Sequence, residues 1–264
     1  MIGSIGPLSL TQDRRALRLA LLYGVACHGI FALAGLAMVY ALYTGLTVTW
    51  GAVPWPWAWL ANALLLVQFP LGHSLLLSAR GRRWLAALAP APHGKTLSTT
   101  TYATIASLQL LALFTLWTPS GVVLWRAEGW AFWAMTTGFA GAWVLLTKAS
   151  FDAGPEVQSG ALGWTSLARG RAPVFPPMPV TGLFRVVRQP IYVSFALVLW
   201  TSPVWSADLV ILATAYTAYC VLAPRLKERR FERMFGPAFE AYRARVPYWL
   251  PWPRPRTHGG GADG

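Results

Sequence analysis

The sequence predicts an all-α, polytopic membrane protein with about six transmembrane helices. Three observations carry this. Only 12% of the 264 residues are charged and 55% are hydrophobic, with a mean hydropathy of +0.45; an average soluble domain has roughly 25% charged residues. The apolar residues gather into runs near the roughly 20 residues a helix needs to cross the hydrocarbon core. The cations fall between those runs in a one-sided pattern.

The runs come in order. After a polar arm over residues 1–13 and three arginines (Arg14, Arg15, Arg18), a first span is expected over 17–44. It continues well past a 7–15-residue signal-peptide core and meets no small-x-small cleavage site, so it reads as a retained span. Trp50 to Trp59 alternates Trp with Pro, Gly and Ala, which suits a loop at headgroup level. A second span over 57–77 stops at Arg80, Arg82 and Arg83, and a loop covers 84–98. Third and fourth spans follow over 99–118 and 129–148. Residues 149–181 hold several glycines and a proline cluster (Pro173, Pro176, Pro177, Pro179), so they read as an irregular, lid-like segment. A short fifth span (191–203) and a sixth (207–224) form a hairpin, and a charged surface helix is expected over 225–244. The chain thus divides into a four-helix region (1–148), a lid, hairpin and surface helix (149–250), and a disordered tail (251–264).

With this arrangement 21 of the 22 Lys and Arg lie on one side, leaving Arg126 on the other. The positive-inside rule then places both termini in the cytoplasm, consistent with a bacterial inner membrane. It also brings 149–190 and 225–250 to the same face. The net charge of +13 is accounted for by these flanks, so no nucleic-acid partner is expected; the partner is the lipid bilayer. Cys27 and Cys220 sit in separate apolar runs without ligand spacing, and no histidine pair has metal spacing, so no metal is expected. There is no glycine-rich strand–helix unit or P-loop.

Candidate site residues flank the hairpin. Pro190 suits the first turn of a helix, which puts Gln189 at its cap and Arg188 beside free backbone N–H groups. That is a natural carboxylate or phosphate site; the alternative is a snorkelling topogenic arginine before a plain helix start. Glu228 stands among four cations, so it either pairs with one of them or receives an ammonium or a hydroxyl. His73 is an ionisable group inside the second span, which marks it as a substrate-site candidate or as a buried, satisfied histidine.

At these residues the chain resembles the integral-membrane methyltransferases, which include isoprenylcysteine carboxyl and phospholipid methyltransferases. It is most similar to methanethiol S-methyltransferases and the related nurim proteins. The likeness is carried by Gly182-Leu-Phe-Arg-x-x-Arg188-x-Pro190-x-Tyr192, Trp200-Thr-Ser-Pro203, Phe235-Gly236 and Tyr242-x-x-x-Val246-Pro247. The resemblance implies a cytoplasmic pocket for S-adenosylmethionine. Gly182 would let the backbone approach, Arg188 and Gln189 would meet the cofactor carboxylate, Tyr192 would pack nearby, and Glu228 would hold an amine or ribose. The acceptor would be small or lipophilic, a thiol such as methanethiol, with His73 on the substrate side. Where the family has His and Glu, this chain has Gln189 and Lys227. A non-catalytic nurim-like scaffold and an isoprenoid or phospholipid methyltransferase are the alternatives.

Overall fold

The computed structural model describes residues 7–251, with side chains from Arg14 onward. The expected tail and the first residues of the arm lie outside the described residues. The described residues are all-α apart from one short ribbon. Helix α1 (Pro7–Tyr43) is followed by α2 (Trp57–Leu76), α3 (Ala79–Leu88) and α4 (Gly94–Leu116). Strand β1 (Val123–Arg126) then leads to α5 (Gly129–Asp152), α6 (Pro155–Gln158) and α7 (Ala161–Ala168). A 3-10 turn (Gly182–Arg185), α8 (Pro190–Trp200), β2 (Val204–Ser206), α9 (Ala207–Phe235) and α10 (Pro237–Arg245) complete it.

Among the described residues four helices, α1, α2, α4 and α9, are long and apolar enough to cross a membrane. Their outer faces carry large apolar side chains that no protein covers: Leu22, Val25, Leu36 and Leu64 are each more than 60% exposed. Such surface is stable in lipid, not in water. The chain is an integral membrane protein.

The main core gathers Leu42 at the end of α1 and Leu46 just beyond it, Leu113, Phe114 and Trp117 around the end of α4, Phe139 on α5, Leu199 on α8, and Leu209, Leu212 and Tyr216 on α9. Two polar hubs fix this end. Asn62 grips Thr118 in both directions, Nδ2 to the carbonyl at 2.8 Å and Oδ1 from the N–H at 2.9 Å. The buried Asp208 carboxylate accepts from Trp117 Nε1 (3.0 Å), Ser120 N (2.9 Å) and Ser120 Oγ (2.6 Å).

Helix α8 rises only about 16 Å, at 1.5 Å per residue, roughly half the hydrocarbon thickness. The chain continues as Thr201–Ser206, of which Ser202, Pro203, Val204 and Ser206 are buried. Buried backbone outside a helix must find partners for its polar groups. Here its groups find partners: Ser206 Oγ donates to the Gly45 carbonyl, and β2 pairs antiparallel with β1.

Several expectations are corrected. Helix α1 begins at Pro7, inside the expected polar arm, because Pro suits a first helical turn and the following Leu, Gln and Arg are good helix formers. The expected loop over 84–98 is largely helical, with α3 started by Ser78, whose Oγ accepts Gly81 N at 3.0 Å. The segment 149–181 is not wholly irregular. Its α7 packs between α1 and α4, where Thr100 Oγ1 donates to the Gly160 carbonyl at 2.7 Å and accepts Trp164 N at 3.0 Å. The helix of the sixth span does not end at Pro224. Helix α9 runs through it to Phe235 and takes over half of the expected surface helix. Proline disturbs the preceding turn, and there the Val221 carbonyl takes the Tyr248 hydroxyl at 2.8 Å.

Candidate functional site: two pockets on either side of helix α9

The residues that carried the sequence argument do not form one site. Arg188, Gln189 and Glu228 meet. Arg188 Nε donates to Glu228 Oε1 at 2.8 Å, and Nη2 to Oε2 at 3.2 Å. Nη1 donates to the carbonyls of Val246 (2.7 Å) and Arg243 (3.2 Å), and the guanidinium lies 5.4 Å from the Tyr248 ring centre. Gln189 Nε2 donates to Glu228 Oε1 at 2.8 Å. The fixed fork of arginine suits a carboxylate held on two oxygens, and here that carboxylate is Glu228.

Around this cluster lie Phe184, Lys227, Phe231, Phe239 and Tyr242, enclosing about 10 Å³ of free space, at the limit for a single water. Lys227 Nζ sits 5.5 Å from the Phe184 ring centre and 5.3 Å from that of Phe231. The cation is therefore held against two aromatic faces. Gln189 Oε1 is buried without a hydrogen-bond partner. Burial pushes the Tyr242 phenol up to about 12, so it remains a donor at neutral pH, and it donates to the Phe184 carbonyl at 2.7 Å.

Gly182 belongs to a third locus, the joint between the 3-10 turn and α5. Its φ is +57°, and a Cβ there would stand 2.2 Å from Asp152 Oδ2. That oxygen accepts Leu183 N at 2.8 Å, while Oδ1 pairs with Lys148. The Lys148 ammonium and the Leu183 N–H together hold the Asp152 carboxyl below its usual value of 3.8.

His73 and Tyr192 face a different and much larger space. A cavity of about 570 Å³ lies between the C-terminal end of α2 and the second half of α9. Helix α2 contributes His73, Ser74 and the residues leading to Ser78; α8 contributes Tyr192. From α9 come Tyr219, Leu226, Arg229, Arg230, Glu232 and Arg233. The Tyr102 hydroxyl fixes the His73 ring, at 2.7 Å from Nδ1 and 2.9 Å from Nε2. Sequence reasoning missed the arginines and Tyr219. Their signal was present, because Tyr219, Leu226, Arg230 and Arg233 recur at helical spacing. It was masked by the expected helix end at Pro224.

The fold and this cavity define an α-helical integral membrane protein with a ligand-sized space between α2 and α9. The chain is 30% identical over 259 residues to methanethiol S-methyltransferase 1 of Bradyrhizobium diazoefficiens, covering 96% of this chain and 89% of that protein. It is 28% identical to the methanethiol S-methyltransferase of a Pseudomonas species, over 88% of this chain and 89% of the relative. Nurim of Rattus norvegicus is 28% identical over 65% of this chain and 66% of its own length. No protein-family profile matches the chain, and no solved structure does. The chain belongs to the methanethiol S-methyltransferase family.

Proposed function

We propose that this protein is a membrane methyltransferase that moves the methyl group of S-adenosylmethionine to a small thiol such as methanethiol. In this reading the donor occupies the 570 Å³ cavity. Kinship with the methanethiol S-methyltransferases supports the reaction. The single structural observation that carries the placement is volume: this cavity has room for a nucleoside-sized donor, and the Arg188–Glu228 pocket does not. The chain would cross the bacterial inner membrane six times, with α5 and α8 as the further spans and both termini cytoplasmic.

The lining fits the donor's chemistry. Arg229, Arg230 and Arg233 offer donors to its carboxylate. Glu232, which shares an exposed 3.3 Å pair with Arg243, offers an acceptor to its ammonium. Tyr192 and Tyr219 give aromatic surface to a base. Bound there, the donor would supply an electrophilic methyl on a sulfonium. His73, held by Tyr102 one turn further into α2 than Leu77, is placed to position the acceptor sulfur. In-line placement of the two reacting atoms is the main demand of such a transfer. Arg188, Gln189 and Glu228 then act as the joint that fixes α8 and α9, and so Tyr192 and the arginines, relative to one another.

Detergent-purified protein is expected to bind S-adenosylmethionine, measured by equilibrium dialysis. His73→Phe should keep that binding and lose most methyl transfer to methanethiol, followed as dimethyl sulfide. No binding at about 1 mM donor, the upper end of ordinary KM values, would sink the reading. That outcome would favour a second one, a non-catalytic nurim-like scaffold. The internal satisfaction of Glu228 and the burial of Lys227 against two rings speak for that alternative.

A further inference from the structure

One stripe of α9 changes character along its length. Leu222, Leu226, Arg229 and Arg233 recur at helical spacing, so two exposed leucines are followed on the same face by two exposed arginines. Leu226, Arg229 and Arg233 line the cavity between α2 and α9, with the half-buried Arg230 beside them. Across the opening α2 presents Leu71, 57% exposed, with Ser74 one turn further on the same face. Of α2 only Ala58 and Asn62, near its other end, are buried, so its apolar side beside the opening is left to lipid. The charges at the opening are not balanced. Glu232, the one acid of the lining, is shared with Arg243 at 3.3 Å. Among the described residues no carboxylate pairs with Arg229, Arg230 or Arg233.

We infer that the groove between α2 and α9 holds one anionic phospholipid, its phosphate on Arg229 and Arg233 and an acyl chain along Leu222, Leu226 and Leu71. The order of the stripe is the order of the lipid. From Leu222 to Arg229 the helix rises about 10 Å, enough to pass from the hydrocarbon edge through a headgroup layer roughly 5–8 Å thick. The planar donors of two neighbouring arginines match phosphate oxygens in geometry as well as charge. The uncompensated cations select the headgroup. A net-anionic head such as phosphatidylglycerol brings only its phosphate to them, whereas a zwitterionic head also brings an ammonium, which they repel. The lipid is a structural ligand and not a methyl acceptor, because a phosphatidylglycerol head has no amine or thiol. Bound there it would fill the gap beside α2 and stabilise the folded chain by mass action. The inference goes beyond the donor reading and does not rest on it: the phosphate is placed on the exposed arginines at the opening, and the interior near His73 and Tyr192 is left to a donor.

The test titrates the delipidated full chain in detergent with phosphatidylglycerol, phosphatidylethanolamine or inorganic phosphate, and counts bound lipid by native mass spectrometry. Wild type should take up one phosphatidylglycerol per chain, at least about tenfold more tightly than phosphatidylethanolamine at low salt, and the preference should shrink as ionic strength rises. Arg229→Gln, Arg230→Gln and Arg233→Gln together should bring the preference close to one. The corresponding triple lysine variant, which keeps the charge, should retain most of it. Arg229 and Arg233 are exposed and Arg230 is half-buried, so the variants are expected to fold, checked by matching melts of the lipid-free proteins. Should the triple variant not fold, the single variants Arg229→Gln and Arg233→Gln decide, each expected to weaken phosphatidylglycerol binding about fivefold. Equal binding of the two lipids by wild type, or an unchanged preference in the glutamine variants, overturns the inference. It also falls if inorganic phosphate displaces phosphatidylglycerol at matched ionic strength, since the arginines would then bind phosphate without the groove. The donor reading stands or falls separately, on dialysis of S-adenosylmethionine with the lipid-free protein.

Discussion

Arg188 and Glu228 form a two-point ion pair, 2.8 Å from Nε to Oε1 and 3.2 Å from Nη2 to Oε2, that ties the start of α8 to the far half of α9. Their side chains are 7% and 13% exposed. The same guanidinium holds the carbonyls of Arg243 and Val246, and the Arg188 N–H donates to the Pro247 carbonyl at 2.9 Å. One residue thus joins three stretches of chain. Removing one partner of a buried pair leaves an uncompensated charge, at a cost of about 3–5 kcal/mol. Glu228→Ala is expected to lower the unfolding temperature sharply in a detergent melt. Arg188→Lys should give a smaller drop, because it keeps the charge and loses the fork. A Glu228→Ala protein that melts with wild type would show the pair to be dispensable.

Gln189 supplies a neutral donor to Glu228 Oε1 at 2.8 Å. Gln189→Glu removes the donor and sets a second carboxylate against the first. Loss of a hydrogen bond to a charged group costs roughly 1.5–3 kcal/mol, and like-charge contact adds to it. Gln189→His can still donate. In parallel melts the glutamate variant should be much the less stable of the two; equal melting would contradict the assigned contact.

Gly182→Ala faces two penalties at once. Its φ of +57° costs an L side chain roughly 1–2 kcal/mol. The new Cβ would also press on the Asp152 carboxylate that accepts Leu183 N. The variant should loosen the 3-10 turn ahead of α8, and limited proteolysis between residues 169 and 185 should cut it faster than wild type.

Asp152 links stability to acid. Its pKa is lowered in the folded chain, first by the Lys148 hydrogen bond and then by the Leu183 N–H. For a depressed carboxyl, the unfolded state binds the proton more readily, so stability is fully present above the unfolded pKa, near 3.8, and declines as pH falls through the folded value. Melts taken from pH 6 down to about pH 3 should fall less steeply in Asp152→Asn than in wild type. A parallel decline in both proteins would remove Asp152 from the acid response.

The C-terminal motif shows how far the sequence could be read. Arg188, Gln189 and Glu228 were singled out together, and they do meet. The direction of their contacts was not legible. A helix start with an arginine beside it suits an external anion or an internal one equally well, and only the position of α9 decides between them. Pro224 misled for a related reason: proline removes one backbone hydrogen bond, here the one to the Cys220 carbonyl, yet α9 continues through it to Phe235. The buried Asp208 gave no periodic signal, since its partners Trp117 and Ser120 lie about ninety residues away.

By itself the sequence determined that this is an α-helical membrane protein, where most of its helices run, and which residues bracket the hairpin. Those properties follow from local composition and periodicity, which every apolar run states on its own. Tertiary structure alone decided that the Arg188 fork closes on Glu228 and that His73 and Tyr192 line another space. Those are relations between distant segments, fixed by how α8 and α9 pack, and no local pattern encodes which side of a helix will face a cavity and which will face its neighbour.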